Sequence, residues 1–158
     1  MEYLVLYAVW AVSASLLIFA VPKNRRRVAH AAFLFKQMIT WATGLYVVEK
    51  GWLEYPVRFF ADVNRASFTF EYFAYPTVCA VFNSRFPGHR SLLFQLGYAM
   101  TYATTITIVE AMLEHSKTLH LIRYHQWTWY WTWLSLLITL MLSRLFCLWF
   151  FREKRLPA

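Results

Sequence analysis

Charge is scarce in this sequence. Only 15% of its 158 residues are Asp, Glu, Lys or Arg, against about 25% in an average soluble domain. Aspartate occurs once, as Asp62, and the four glycines form no phosphate-binding loop. There is no nucleophile elbow, no zinc signature and no Walker-type motif. Enzymatic chemistry therefore has little to stand on, and no cofactor or metal is expected. The two cysteines, Cys79 and Cys147, both fall inside apolar runs. They read as small buried hydrophobes rather than a disulfide.

What fills the chain instead is apolar. Hydrophobic residues make up 59% and aromatics 20%. A soluble domain of this size does not need that much apolar surface, whereas a bilayer does, because there the outside of the protein must be apolar too. The net charge of +8 sits in the gaps between apolar runs. That placement argues for membrane orientation and against a nucleic-acid partner.

Five runs are long enough to cross, at roughly 1.5 Å of rise per residue. They cover approximately 3–22, 28–48, 66–84, 91–113 and 126–151. Residues 49–65 are amphipathic and aromatic, and read as an interfacial segment. In the first run Glu2 precedes the apolar stretch, and Lys23, Arg25, Arg26 and Arg27 follow it. This is the charge order of a helix inserted with its N-terminus outside, not of a cleaved signal peptide. The expectation is an all-α integral membrane bundle of about five transmembrane helices, N-terminus outside and C-terminus cytoplasmic. Residues 1–158 form a single transmembrane domain.

That orientation collects three basic clusters inside: Lys23 with Arg25, Arg26 and Arg27; Arg85 with Arg90; and Arg152 with Lys154 and Arg155. Lys50, Arg58, Arg65, Lys117 and Arg123 fall outside. All the acids except Glu153 lie on the outer side or in the outer half.

The ionisable residues within runs are the candidate sites. Glu110, on the fourth run, is either a carboxylate paired with a neighbouring Tyr, Trp or His, or a proton, cation or ligand site. Lys36 and Arg144 each lie about two turns from the cytoplasmic end of a helix. They either snorkel to the inner headgroups or line a pocket for an anionic headgroup. His115, His120 and His125 are spaced by five, which fits neither a helical ligand pair nor a zinc signature, so they read as loop residues. Trp127, Trp129, Trp131 and Trp133 read as an interfacial aromatic belt. Gly97, Thr101 and Thr105 form a small-residue ridge suited to close helix packing, in the bundle or between subunits.

The strings Trp52 to Pro56 (WLEYP), Tyr75 to Phe86 (YPTVCAVFNSRF), Tyr102 to Glu110 (YATTITIVE) and Tyr124 to Trp127 (YHQW) occur in that order. In them the chain resembles an uncharacterised family of small polytopic membrane proteins found in spore-forming, Bacillus-like bacteria. The resemblance implies a multi-pass protein of a bacterial plasma membrane. It draws attention to Glu54, Glu110, Tyr124, His125 and Trp127, which the topology brings to the outer side as one polar, aromatic cluster. In it Glu110 accepts from His125 or a Trp N–H.

Three functional readings stay open: a structural or accessory protein acting through helix packing and lipid contact; a small proton or cation transporter or channel component using Glu110; and a lipid-headgroup or hydrophobic-ligand binding protein. The expected partners are membrane lipids, with a second copy of the chain or another membrane protein.

Overall fold

The computed structural model describes residues 1–116 and 119–151. Lys117 and the segment carrying Arg152, Glu153, Lys154 and Arg155 lie outside the described residues. The described residues form an all-α bundle of five helices. They are α1 (Glu2–Ser15, extended by a π-helical turn Leu16–Ala20), α2 (Arg26–Glu49), α3 (Tyr75–Ser84), α4 (Leu92–His115) and α5 (Trp129–Phe150). Four of these, counting α1 with its extension, are long and apolar enough to cross a membrane.

The exception is α3, which occupies the middle of the bundle. It packs against α2 and α5, and against the end of α1. A π-helical stretch, Phe68–Ala74, leads into it, with the Ser67 hydroxyl accepting from the Phe70 N–H at 3.4 Å. The wider π turn lies just ahead of Pro76, which brings no backbone N–H to a helical ladder. Every residue of α3 from Pro76 to Ser84 except Val78 is buried. With neighbours on all sides, α3 can carry polar side chains that a lipid-facing helix could not. Asn83 donates to the Ser143 hydroxyl at 2.9 Å, and the Cys79 thiol donates to the same oxygen at 3.0 Å. Both cysteines are free and buried.

The outer helices are turned inside out relative to a soluble bundle. Phe19, Leu34, Met38 and Leu93 point away from the core, with Leu93 82% exposed. The buried face of α2 is the stripe Val28, Ala32, Lys36, Thr40, Gly44 and Val48, each four residues from the next, with Ala29 beside it. That of α4 is Ala99, Ala103, Thr107 and Glu110. The small-residue ridge expected on α4 does not pack within the bundle: Gly97, Thr101 and Thr105 are exposed, and no atom comes near a Cβ placed on Gly97. Small residues do mediate close approach on α4, but they are the alanines one face over.

The two ends of the bundle differ. At one end Arg85 donates to the Ala20 carbonyl at 2.6 Å, joining the loop after α3 to the end of α1. At the other, the segment after α2 and the loop after α4 fold back over the helices. Gly51, at φ +70°, ends α2 in the left-handed conformation that glycine adopts without a steric cost. Strands β1 (Leu53–Glu54) and β2 (Arg123–Tyr124) then pair antiparallel, Leu53 opposite Tyr124. Of the segment 49–65, Glu49 ends α2 and the rest forms turns and the short strand β1, a loop without a helix. Tyr55, Leu121 and Ile122 from these loops are buried with Leu6, Val48 and Phe70, so the loops plug this end.

Candidate functional site

Directly beneath that plug, α2, α5, α3 and α4 enclose a cavity of about 440 Å³. Three ionisable side chains line it: Lys36 from α2, Glu71 from the π-helical stretch, and Glu110 from α4. Each is less than a tenth exposed. Thr40, Thr132 and Ser135 add hydroxyls.

Glu110 is saturated. Its Oε2 accepts from the Tyr75 hydroxyl at 2.6 Å, and its Oε1 accepts from Tyr124 at 2.7 Å and Thr132 at 2.9 Å. Trp127 donates its indole N–H to the Thr132 oxygen at 2.8 Å, which orients that hydroxyl toward Glu110. A neighbouring Tyr is among the partners expected for Glu110, and its donors are two tyrosines and a threonine. Of the donors expected within the outer cluster, His125 does not reach it and Trp127 acts one bond further out.

His125 does not reach Glu110. It lies on the other side of the two-stranded ladder, where its Nε2 is 3.0 Å from Glu54 Oε2. Arg123 approaches the same carboxylate at 3.9 Å. Glu54, Arg123 and His125 are all partly exposed, so this is a surface ion pair of small energetic weight. The outer cluster read from the sequence therefore divides in two. Glu110, Tyr124 and Trp127 belong to the buried network, and Glu54 with His125 to the surface.

Glu71 is the residue that sequence reasoning passed over. The Tyr55 hydroxyl donates to its Oε1 at 2.8 Å. That is the one side-chain hydrogen bond to this carboxylate among the described residues, and its other oxygen is left for the cavity. Gly44 makes room for it. A Cβ on Gly44 would stand 2.8 Å from Glu71 Cδ and 2.9 Å from Cγ. Thr40 fixes the register of the two elements by donating to the Glu71 carbonyl at 2.7 Å.

Lys36 does not snorkel. It is 1% exposed and donates its Nζ to the Thr139 hydroxyl on α5. No carboxylate among the described residues comes within 4 Å of it. Lys36 and Glu71 thus face one cavity as an amine and a carboxyl group held apart. Arg144 is not part of this site: its guanidinium stacks on Phe86 at 4.4 Å, beside Gly88.

Tyr55 and Tyr124 reach the site from the loops. Burial, and then the nearby carboxylates Glu71 for Tyr55 and Glu110 for Tyr124, hold both phenols above the ordinary tyrosine range. They therefore remain donors throughout the neutral range.

A second, apolar hollow of about 620 Å³ lies between α1 and α4, lined by residues such as Val9, Val12, Phe70 and Ile106. Tyr75 and Glu110 line both hollows, so their hydrogen bond stands in the wall between them.

The tryptophan run divides as the site does. Trp129 and Trp131 are exposed, as a belt requires, while Trp133 donates to Thr104 at 3.0 Å and Trp127 turns into the site. Among the described residues no group of His, Cys, Asp or Glu could hold a metal ion. His115 pairs locally with Glu114. No family model, curated protein or solved structure matches the chain.

Proposed function

We propose that this chain is an integral membrane protein that binds an amphiphilic small molecule from within the bilayer. The polar group of that molecule would sit in the cavity between α2 and α5. The observation that carries this reading is the separation of Lys36 and Glu71 across one cavity. A structural ion pair would be closed on itself. These two side chains are buried, one an amine and the other a carboxyl group, and they form no ion pair with each other. A ligand offering an acceptor to Lys36 and a donor to Glu71 would complete both.

The cavity's position supports entry from the side. Ala42, Thr43 and Ser135 on its rim are exposed on the flank of the bundle, and the loops plug the end above. A hydroxyl-bearing rim at membrane depth suits a molecule that carries a polar group into the hydrocarbon layer. Glu110 is better read as the anchor of the wall than as a transport site, because both its oxygens are held by buried hydroxyl donors, three in all.

The placement of basic residues between apolar runs supports an N-terminus outside and a C-terminus in the cytoplasm. The four matching strings support a bacterial plasma membrane and the spore-former family.

Native mass spectrometry of protein extracted gently from its own membrane tests the reading. Wild type should carry one retained amphiphile. Lys36→Met and Glu71→Gln should each lose it, and so should Ser135→Trp, which blocks the rim without touching Lys36 or Glu71. A wild type that carries no non-protein mass, or variants that keep it, would refute the proposal.

A further inference from the structure

Arg144 poses a separate problem at the other end of the bundle. It is 8% exposed, and its Nε and Nη1 are sealed from the surface without any hydrogen-bond partner. The guanidinium has one aromatic neighbour, Phe86, whose ring it covers at 4.4 Å. No carboxylate among the described residues forms an ion pair with it. The surroundings add charge of the same sign, since Arg25 lies within electrostatic reach and Arg85 and Arg90 flank the loop that meets it. A buried cation without a counter-charge is among the costliest arrangements a fold can hold, and one that is retained calls for an anion.

The geometry leaves an approach for one. Nη2 is the one guanidinium nitrogen that is not both sealed and unpartnered. It meets the loop after α3 at Gly88, where a Cβ would stand 3.1 Å from it. Gly88 is exposed, and its φ is not positive. The backbone there does not require glycine, so the absent side chain leaves space beside the guanidinium edge. A planar fork whose edge meets an exposed loop, with Arg25 within electrostatic reach, is suited to a phosphate oxyanion.

We propose that Arg144, with the Gly88 loop beside it, binds a phosphate-class oxyanion at the basic end of the bundle. Two sources share this chemistry, an anionic phospholipid headgroup of the adjoining leaflet and free phosphate. The site is distinct from the cavity between α2 and α5, which it neither requires nor explains.

The test compares thermal midpoints of the full chain in three nanodisc preparations: phosphatidylcholine alone, phosphatidylcholine with phosphatidylglycerol, and phosphatidylcholine with added inorganic phosphate. Wild type should gain stability in at least one of the last two. A gain with phosphatidylglycerol only assigns the headgroup, and a gain with phosphate assigns the free ion. Arg144→Met should abolish the gain while its midpoint in phosphatidylcholine alone equals or exceeds that of wild type, because the uncompensated charge is gone. Gly88→Ala, which crowds Nη2 without removing charge, should weaken retention of the same anion about tenfold by titration, equivalent to about 1.4 kcal/mol. No gain in either preparation would overturn the proposal. So would an Arg144→Met chain that keeps the gain, since that response would then belong to the surface arginines.

Discussion

Gly44→Ala offers a sharp test of the buried network, because the expected effect changes sign with one neighbouring residue. The three atoms nearest a Cβ at position 44 all belong to Glu71, at 2.8, 2.9 and 3.1 Å, whereas ordinary contact begins at 3.4 Å. The Glu71 side chain must therefore move by roughly half an ångström or more, against the hard-packed interior. It is held on the far side by the Tyr55 hydroxyl at 2.8 Å, and Tyr55 is itself 1% exposed. Overpacking of this kind costs about 1–3 kcal/mol. Weakening the Tyr55 bond adds about 1 kcal/mol. Replacing glycine by alanine in a helix interior returns about 1 kcal/mol. The net loss is about 1–3 kcal/mol, which for a chain of this size lowers the thermal midpoint by about 2–4 °C per kcal/mol.

In a Glu71→Ala background the clash has nothing to meet, and the helix-propensity gain of about 1 kcal/mol should remain alone. Gly44→Ala should then stabilise the chain. The assay is a double-mutant cycle on thermal midpoints in one detergent. Equal shifts in both backgrounds would show that Gly44 does not hold the space for Glu71, and the account of this side of the cavity would fail.

Tyr124→Phe removes one of the three donors to Glu110 and should cost about 1.5–3 kcal/mol, the range for bonds to charged groups. Thr132→Val should cost more than Tyr124→Phe, because it also leaves the Trp127 N–H without its acceptor. Equal thermal midpoints for the two variants would contradict the relay. The raised tyrosines predict alkaline sensitivity. Their stabilisation is intact below the unfolded pKa of about 10 and fades as pH rises above it, because the unfolded chain gives up those protons first. Thermal midpoints should fall above that pH, less steeply in a Tyr55→Phe, Tyr124→Phe double variant, and identical slopes would refute the assignment. For orientation, single cysteines at exposed positions 62 and 89 should label from outside and inside respectively, and the opposite pattern would reverse the topology.

The helices were legible in the sequence because apolar length is a coarse property that lipid imposes directly. Glu110 was legible for the same reason, as an ionisable residue within an apolar run. Glu71 was harder to weigh. It stands near the start of its run, where a carboxylate reads as close to the interface, and only the π-helical turn ahead of Pro76 carries it inward onto α2. By its depth alone Lys36 reads as a residue that snorkels or lines a headgroup pocket. The signal that marks its side of the helix is the stripe of Lys36, Thr40 and Gly44, each four residues from the next. Polar and small residues at that spacing on an otherwise apolar helix identify a face that lipid does not touch. The division of Glu54 and His125 from Glu110 depends on the β1–β2 ladder, two residues long on each side. No periodic pattern announces so short a pairing.

That ladder also bears on the order in which the molecule can be assembled. Its strands belong to the loops after α2 and after α4, so it closes only when four of the five helices have been made. Glu71 finds its donor early, since Tyr55 precedes it in the chain. Glu110 has Tyr75 behind it but must wait for Tyr124 and Thr132, which follow. Before α5 and the loop after α4 are made, Glu110 therefore has one of its three donors. The last helix supplies the hydroxyl that completes it, which makes α5 the closing element of the bundle and the loss of its first turns a defect of insertion as much as of stability.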